Sequence, residues 1–376
     1  MKTSREVMVN HDEVRRAFEE SHLDALIAVS PENTFYFSGV FIRTQISIRE
    51  RLALVIVPRQ GEETFIVCNI EESLARSQGW LPDVRVYIEY AQSPLEVLAD
   101  VLRERGLAGG RLGFEERFLS AAYYRELQAR LPQATLVVAD PFFIRIRNIK
   151  TPAQIELFTS AFQRTEQAVW NAWNASKPGE SEKVVAERMV QEMIKTGADG
   201  PRHMTLAVGE NTIHPHARPS DRPLRSGDLV LTDCGAVFGG YCSDIARMGV
   251  VGKPSGAQKD AYKALYDTQR ETIVMMKPGV TFSQAFTFCK EAFARRGYIM
   301  LNPQIGHNLS LLGGHEDPLL HPFAHEPMRP GMLICVEPSL EMDAHTRLHF
   351  EDLVLITEND SKILCWWDAK ELLVFQ

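Results

Sequence analysis

Short apolar runs alternate with segments of helical periodicity over the first 145 residues. Runs that are bounded by turn-forming residues, as buried strands are, cover 23–29, 51–57, 64–68 and 135–139. Apolar residues recur at helical spacing in 11–21, 70–78, 94–105 and 119–131. The pattern is broken at Asp140-Pro141. This alternation predicts an α/β domain at the amino-terminal end of the chain.

A charged segment, Arg145–Lys150, separates this region from the rest of the chain. It ends at Thr151-Pro152, where Thr can cap a helix and Pro can occupy the first helical turn. We therefore expect two domains, 1–150 and 151–376. Two domains fit a chain of 376 residues, because soluble domains usually contain roughly 100–200 residues.

The second region contains the same arrangement twice, at an offset of 100 residues. An amphipathic helix ends at Lys-Pro-Gly and a second amphipathic helix follows, with helices predicted over 153–176, 182–196, 257–276 and 283–296. Strand-like runs follow each unit, at 203–208, 229–234, 331–337 and 349–356. The repetition predicts a carboxy-terminal domain with internal pseudo-symmetry, and a shared way of ending helices is the alternative.

Composition and charge exclude several classes of function. Lys and Arg number 41 and Asp and Glu 49, a formal net charge of −8 without a basic block, so nucleic acid and anionic membranes are not expected partners. No stretch approaches the roughly 18 apolar residues of a membrane span, and the first residues lack the apolar segment of a signal peptide. The six cysteines form no C-x-x-C pair and are expected to be reduced. We expect a cytoplasmic protein.

Candidate chemistry is concentrated between 203 and 349, where nine of the eleven histidines lie. An apolar strand ends near Asp233, a turn follows at Phe238-Gly239-Gly240, and a return strand contains Asp244. Pairing about a turn centred between 238 and 239 places Asp233 directly opposite Asp244, on one face of the sheet. Two facing carboxylates repel and would have to share a proton or a cation.

A second pair of carboxylates repeats this placement, with Glu337 at the end of one apolar strand and Glu351 at the start of another. With His307, the set offers four carboxylates and one imidazole, ligands that suit Mn²⁺, Co²⁺, Fe²⁺ or Zn²⁺. Four negative charges would balance two divalent ions, which favours a two-metal site. Any one of these acids taken alone is more simply interpreted as a solvated residue beside a turn.

The ordered motifs also resemble a known family. They are D-x-G-x5-Y-x-S-D from Asp233 to Asp244, Gly306-His307, Pro330-Gly331-Met332 before Val336-Glu337-Pro338, and Glu351-Asp352. Together they look like the motifs of the pita-bread metallopeptidases, which include prolidases, aminopeptidase P, methionine aminopeptidase and creatinase. Near the amino terminus, Ser30-Pro31-Glu32-Asn33-x-x-Tyr36 resembles the first domain of the prolidase and creatinase branch.

This resemblance implies an α+β fold in which a pita-bread domain with internal pseudo-symmetry follows a smaller α/β creatinase-like domain. It implies that Asp233, Asp244, His307, Glu337 and Glu351 are the ligands of two divalent metal ions. Asp244 and Glu351 would be the bridging carboxylates, and Glu337 would accept the proton of the attacking water. A homodimer is expected from the branch that the chain resembles.

Two further histidines match active-site positions of the family. His216, in Gly209-x-Asn211-x3-Pro215-His216, and His315 are implied to bind substrate oxygen and to transfer protons. A loop histidine beside a proline is the simpler interpretation of His216. We expect surface or structural roles for the remaining histidines of this region, which are His203, His214, His321, His325 and His345.

The sequence departs from the family pattern at positions that affect the pocket. Asn308 and Ser310 replace glycines after His307, so the loop shape is expected to change. His349 stands where prolidases and aminopeptidase P carry a substrate-binding arginine, and imidazole does not reproduce a charged bidentate group. Arg347 lies on the same strand face as His349 by the period of two and is expected to compensate in part.

Three functions follow from these observations. The first is metal-dependent hydrolysis of the C–N bond of Xaa-Pro dipeptides or short Xaa-Pro peptides, in which Arg347 and His349 join His216 and His315 in binding the substrate. The second is hydrolysis of a non-peptide C–N bond on the same fold, as in ectoine hydrolase or the metal-free creatinase. The third is a catalytically inactive peptide-binding module, whose expected mark would be loss of metal ligands.

Overall fold

The computed structural model describes residues 4–48, 50–300, 302–309, 311–313 and 315–376. Ser310, one of the departures noted above, lies outside these residues. The chain divides into two compact units, Met1–Ala153 and Gln154–Gln376. In the described residues no helix combines the length and the apolar composition needed to cross a bilayer.

The first unit is a mixed sheet with helices packed against it. Its helices are α1 (Arg5–Met8), α2 (His11–Ser21), α3 (Pro31–Ser38), α4 (Arg43–Ser47), α5 (Glu72–Gln78), α6 (Pro94–Glu104), α7 (Ala121–Arg130) and α8 (Asp140–Asn148). Its strands are β1 (Ala25–Ala28), β2 (Leu54–Pro58), β3 (Thr64–Cys68), β4 (Asp83–Tyr87), β5 (Arg111–Phe114) and β6 (Thr135–Val138). The strand order is β4-β3-β2-β1-β5-β6, and β1 pairs antiparallel with β2 and parallel with β5.

The strand-like run before Asp140-Pro141 ends at Val138, where the sequence pattern breaks. Asp140-Pro141 itself begins α8, a helix that the pattern did not indicate, with the proline in the first helical turn. Proline is well tolerated there because the first N–H groups of a helix have no partner within the helix. The sequence analysis also leaves out β4, β5, α3 and α4, which are short elements with little apolar periodicity.

The second unit is an α+β domain in which the described residues form two pairs of helices, two five-stranded sheets and one two-stranded sheet. Its helices are α9 (Pro152–Asn174), α10 (Glu182–Lys195), α11 (Gly256–Met275) and α12 (Phe282–Arg295). Its strands are β7 (Gly200–Val208), β8 (Leu229–Phe238), β9 (Tyr241–Cys242), β10 (Ile245–Val251), β11 (Gly306–Leu309), β12 (His315–Leu319), β13 (Leu333–Val336), β14 (Ser339–Asp343), β15 (Thr346–His349), β16 (Asp352–Ile356), β17 (Ser361–Ile363) and β18 (Leu373–Phe375). The sheets have the orders β18-β10-β8-β7, with β9 on β8, and β12-β11-β13-β16-β17, while β14 pairs with β15.

The predicted internal repeat is present in the hydrogen bonds as well as in the helices. The N–H of Gly179 donates to Leu224 O at 2.8 Å, and the N–H of Gly279 donates to Met328 O at 3.0 Å. Isolated bridges join Ser181 to Pro223 and Thr281 to Pro327 in the same way. Each half thus fixes its second helix to the segment that precedes its central strands, so the repetition is structural and extends beyond the Lys-Pro-Gly stops.

The predicted register of the central hairpin is wrong by two residues. Phe238 pairs with Tyr241, so Gly239-Gly240 is the two-residue turn, and Asp233 lies opposite Ala246 rather than Asp244. Both glycines have positive φ, 60° and 87°, as the tight turns of hairpins require. A shift by an even number of residues leaves the side chains on the expected face, so Asp233 and Asp244 still point the same way.

Candidate metal centre and its cavity

The five predicted ligands converge where the two sheets of the second unit meet. Asp233 is in β8 and Asp244 immediately precedes β10, while His307 is in β11 and Glu337 and Glu351 flank β13 and β16. The N–H of Glu351 donates to Ala246 O at 3.2 Å and joins one sheet to the other. Asp244, Glu337 and Glu351 lie at strand ends beside this junction, whereas Asp233, which was expected at the end of its strand, lies in the middle of β8. The fold thus brings together residues that are more than 100 positions apart.

His307 lies at the centre of the group. Its Nε2 is 3.7 Å from Glu351 Oε1, 3.9 Å from Glu337 Oε1 and 3.9 Å from Asp244 Oδ2. Its Nδ1 is 2.9 Å from the carbonyl oxygen of Asn308, which can only accept, so Nδ1 is the donor. Burial lowers the pKa of His307 to about 4, so the ring is neutral near pH 7. Nε2 therefore offers a bare lone pair to the cluster.

The carboxylates are held close together away from water. Burial raises the pKa of Glu337 and that of Glu351 well above the usual range, and the neighbouring Asp244 raises both further. The side chain of Glu351 is 1% exposed. Buried, mutually repelling carboxylates of this kind are costly unless a cation or a proton compensates them.

The donor set fits divalent metal ions. Within the described part of the chain, the buried atoms His307 Nε2 and Glu351 Oε1 have no hydrogen-bond partner. Unsatisfied buried polar atoms are rare in folded proteins and commonly mark a ligand or an ion. A neutral imidazole nitrogen and carboxylate oxygens facing one point are ligands that borderline divalent cations accept.

Arg202 and His203, which the sequence analysis does not select as site residues, lie beside the first carboxylate pair. Arg202 Nη1 donates to Asp244 Oδ2 at 2.7 Å. His203 Nε2 is 2.9 Å from Asp233 Oδ1 and 3.2 Å from Asp244 Oδ1. Burial by itself would lower the pKa of His203, but its hydrogen bonds to both aspartates outweigh burial and raise that pKa to about 9. His203, for which a surface or structural role was expected, thus contacts two of the expected metal ligands.

A β-bulge explains why the consecutive residues Arg202 and His203 both contact Asp244. The register of β7 on β8 shifts between Pro201 and His203, where an extra residue is inserted. Side chains normally alternate between faces along a strand, and a bulge redirects one of them. No sequence signal considered above locates this bulge, although the proline at 201 is compatible with one.

A cavity of about 550 Å³ opens onto the carboxylates. Besides three of the acids, it is lined by Arg202, His203, Pro215, His216, Leu231, Asn302, Pro303, Gln304, His315, Arg347 and His349. The histidines and the arginine that the sequence selects for substrate binding thus border one space. His216 is exposed at its rim, in the segment after β7.

His315 contacts His307, and His349 lies beside two of the carboxylates. The rings of His307 and His315 stack, with centroids 3.9 Å apart and planes 12° from parallel. His349 Nε2 is 3.6 Å from Glu337 Oε2 and 3.9 Å from Asp233 Oδ2. Burial lowers the pKa of His349 to about 4, so this side chain is neutral where a guanidinium would be charged. Arg347 Nη2 donates to Ser339 Oγ at 2.9 Å.

Asn308 is held within the second sheet of the unit. It is fully buried in β11, and its Nδ2 donates to the carbonyl oxygen of Pro318 at 2.9 Å. Leu312, four residues later, has a left-handed backbone conformation with φ of 60°. The change of loop shape expected from Asn308 and Ser310 stays a prediction.

Glu182, at the start of α10, anchors the segment that carries His216. Its Oε1 accepts from Val208 N at 2.7 Å and Asn211 Nδ2 at 2.9 Å, and its Oε2 accepts from Ser220 N at 2.8 Å and Ser220 Oγ at 2.6 Å. The carboxylate thus ties both ends of the 209–220 segment to one helix. Sequence reasoning missed it because an acid in a first helical turn is usually solvated.

We expect Glu182→Gln to destabilise the second unit by about 1–3 kcal/mol, because the amide nitrogen cannot accept the donors that face it. Loss of the anchor should also lower kcat/KM through His216. Urea unfolding and steady-state kinetics measure the two effects. Glu187→Gln, at an exposed position of α10, is the matched control and should change stability by less than about 0.5 kcal/mol. Equal stability of the two variants would contradict the anchoring role.

Comparison with known proteins agrees with this geometry. The family described as metallopeptidase family M24 matches residues 156–358, and the creatinase/prolidase N-terminal domain matches residues 11–149. An Xaa-Pro dipeptidase of Pyrococcus furiosus is 28% identical over 353 residues, which are 92% of this chain and 94% of that protein.

Solved structures show the same fold. The chain is similar to a prolidase from Pyrococcus horikoshii, with a TM-score of 0.81, 25% identity and coverage of 94% of this chain and 97% of the other. It is also similar to an X-Pro aminopeptidase from Thermotoga maritima, with a TM-score of 0.84, 22% identity and coverage of 96% and 99%. The pita-bread domain and the creatinase-like first domain expected from the sequence are thereby confirmed.

Proposed function

Since the chain belongs to metallopeptidase family M24, we propose that it hydrolyses the C–N bond of Xaa-Pro dipeptides or short Xaa-Pro peptides. The observation that carries the proposal is the convergence of four carboxylates and one neutral imidazole on one point, beside a cavity that three of the carboxylates line. The 28% identity to the Xaa-Pro dipeptidase of Pyrococcus furiosus supports the substrate class.

Asp233, Asp244, His307, Glu337 and Glu351 would hold the divalent metal ions that this family requires. Such ions supply an acidified water as nucleophile and polarise the carbonyl under attack. Mn²⁺, Co²⁺, Fe²⁺ and Zn²⁺ are all compatible with these ligands. The family resemblance implies two ions bridged by Asp244 and Glu351.

Glu337 is placed to take up a proton. Burial and the adjacent Asp244 raise the pKa of Glu337 well above its usual range, which makes its ionised carboxylate a stronger base toward a nearby proton. Gln304 Nε2 donates to Glu337 Oε1 at 3.1 Å and orients the carboxyl group. His216 and His315, on the cavity wall, would bind the substrate oxygen and deliver a proton to the leaving nitrogen.

Arg347 would bind the carboxylate of the substrate. The enzymes that this chain resembles carry their substrate-binding arginine at the position of His349. Arg347 lies two residues earlier on the same strand, and it lines the cavity. Ser339 Oγ holds one of its nitrogens, and Asn302 Oδ1 accepts from that hydroxyl at 2.6 Å. This support limits the motion of a long side chain and favours recognition of a carboxylate.

A second candidate is hydrolysis of a non-peptide C–N bond in a small molecule. The observation in its favour is His349, a buried neutral imidazole beside Glu337 and Asp233. A neutral group there suits a ligand without a charged group at that point. A catalytically inactive binding module is disfavoured, because all five expected ligands are retained and lie close together beside one cavity. The homodimer and the cytoplasmic location stay predictions.

Activity on a small panel of substrates tests the proposal. The chain, stripped with a chelator and reloaded with Mn²⁺ or Zn²⁺, should cleave Ala-Pro and Gly-Pro and should be inactive before reloading. Ala-Pro amide should be cleaved roughly 10- to 100-fold less efficiently than Ala-Pro, because Arg347 then lacks a carboxylate partner. Ala-Gly is the control for the proline requirement.

Creatine and ectoine complete the panel. Turnover of either without turnover of Ala-Pro would replace the first candidate by the second. Failure to bind metal together with failure to cleave any of these compounds would overturn the hydrolase assignment.

A further inference from the structure

The two halves of the carboxylate cluster differ in what faces them. In one half, Glu351 Oε1 and His307 Nε2 lie 3.7 Å apart, and neither has a hydrogen-bond partner among the residues that the structure describes. In the other half, donors from the protein already reach Asp233 and Asp244. The need for an external cation is therefore concentrated in the first half.

Both oxygens of Asp244 are engaged. Arg202 Nη1 donates to Oδ2 at 2.7 Å, and His203 Nε2 is 3.2 Å from Oδ1 and 2.9 Å from Asp233 Oδ1. A carboxylate that bridges two metal ions uses both of its oxygens for that purpose. Asp244 cannot bridge two ions while Arg202 and His203 stay in place. The ion pair of Arg202 with Asp244 is largely shielded from water, with side-chain exposures of 22% for Arg202 and 7% for Asp244.

Formal charge gives the same indication. Four carboxylates surround the site, and two permanently charged guanidinium groups, those of Arg202 and Arg347, line its cavity. Among the described residues, these two arginines leave at most two negative charges uncompensated, and the contact of His203 with Asp233 and Asp244 reduces that number further, so one divalent ion is enough to balance the rest. The sequence predicts two ions because it counts the carboxylates without the arginines that the fold brings beside them.

The contact between Arg202 and Asp244 depends on the bulge in β7. The register shift between Pro201 and His203 turns Arg202 toward the same carboxylates that His203 contacts. Bulges commonly redirect a side chain next to an active site. Without it, alternation along the strand would place Arg202 on the opposite face of the sheet.

We propose that Arg202, assisted by His203, occupies the place of a second cation, so that the chain binds one divalent ion tightly, through Glu337, Glu351 and His307. The proposal rests on the proposed metal-dependent function, in that a divalent ion is bound at all. It assigns Arg202 as a positioning residue that holds Asp244 and sets the number of ions.

Metal stoichiometry tests the proposal without any measurement of turnover. The full chain is stripped, dialysed against Mn²⁺, and its ion content is measured by mass spectrometry, with affinities from calorimetry. We expect one ion per wild-type chain, with a second bound roughly 10- to 100-fold more weakly or not at all. Arg202→Met should tighten the second ion by roughly tenfold or more, toward two ions per chain, because Asp244 is released.

Arg188→Met is the matched control. It removes an arginine that pairs with Glu180 at 2.7 Å in the same unit, away from the cavity, and it should still bind one ion. Circular dichroism checks that each variant is folded. The electron paramagnetic resonance spectrum of the Mn²⁺-loaded wild type needs no variant: an isolated ion supports the proposal, and an exchange-coupled pair overturns it.

The outcomes separate this inference from the proposed function. Two ions of similar affinity in the wild type would overturn it, as would an Arg202→Met variant whose second ion is bound no better than in the wild type. One tightly bound ion in a chain that cleaves no substrate would refute the proposed substrate and leave the inference standing. Cleavage of Ala-Pro by a chain with a coupled pair of ions would support the proposed function and overturn the inference about Arg202.

Discussion

Replacing Glu337 with Gln is expected to lower kcat/KM for Ala-Pro by roughly a thousandfold. Glutamine keeps the shape of the side chain and can accept the hydrogen bond that Gln304 donates at 3.1 Å, but it cannot take up a proton. Loss of a positioned general base usually costs about 10²–10⁴ in rate. The effect should fall mainly on kcat, because the substrate still reaches Arg347 and the cavity wall.

Glu337 is also expected to hold metal, so the metal content of the variant must be measured with its kinetics. A loss of rate at unchanged ion content assigns the effect to proton transfer, and a loss of the ion assigns it to ligation. Glu358→Gln, at an exposed turn of the same unit, is the control and should leave kcat/KM unchanged. Activity within tenfold of wild type at full ion content would contradict the proposed role of Glu337.

The sequence is most informative where the elements are long and their ends are marked. The four helices of the second unit were predicted within a few residues because each has apolar periodicity over at least 14 residues and a capping residue or Lys-Pro-Gly at an end. Short elements such as β5, with four residues, contain too little pattern to stand out.

The central hairpin shows which part of a prediction survives an error. Centring the turn one residue too early displaced the pairing by two, yet the face of the sheet, which depends only on even or odd spacing, came out correctly. The convergence of the carboxylates could be predicted because they share a face of neighbouring strands, although Asp233 lies in the middle of β8 rather than at its end. The distance between Asp233 and Asp244 could not be predicted, because it depends on the register of the two strands.

Arg202 and Glu182 show what cannot be predicted in this way. Arg202 reaches Asp244 only because a bulge interrupts alternation. Glu182 is buried because the 209–220 segment folds over it, and that packing joins residues far apart in the chain. In both cases the residue type is compatible with a solvated position, and only the tertiary structure supplies the partner.

Replacing Arg247 with Met is expected to destabilise the second unit by about 3–5 kcal/mol. Arg247 is fully buried, is paired with Glu166, and lies 2.8 Å from Asp352 Oδ1. Its Nη1 donates to the carbonyl oxygens of Ala246 and Glu351, at 2.8 and 2.5 Å, at the junction of the two sheets. Removing it leaves buried carboxylates without their main counter-charge.

The cost should fall chiefly on Glu166. Asp352 keeps Arg270, whose Nη1 lies 2.6 Å from Asp352 Oδ2, whereas Glu166 keeps only the N–H of Trp366, at 2.8 Å, among the contacts that the structure describes for it. The double variant Glu166→Gln with Arg247→Met should therefore recover a large part of the stability that Arg247→Met loses, because the unpaired charge is gone.

Urea unfolding followed by tryptophan fluorescence measures these differences, since the guanidinium carbon of Arg247 lies 5.7 Å from the ring centroid of Trp367. Arg188→Met removes a partly exposed ion pair and should cost less than about 1 kcal/mol. Because Arg247 also fixes the backbone of Glu351, we expect ion affinity to fall by roughly 10- to 100-fold in the folded variant. Unchanged affinity together with a loss of stability no greater than that of Arg188→Met would show that this buried network supports neither the fold nor the metal centre.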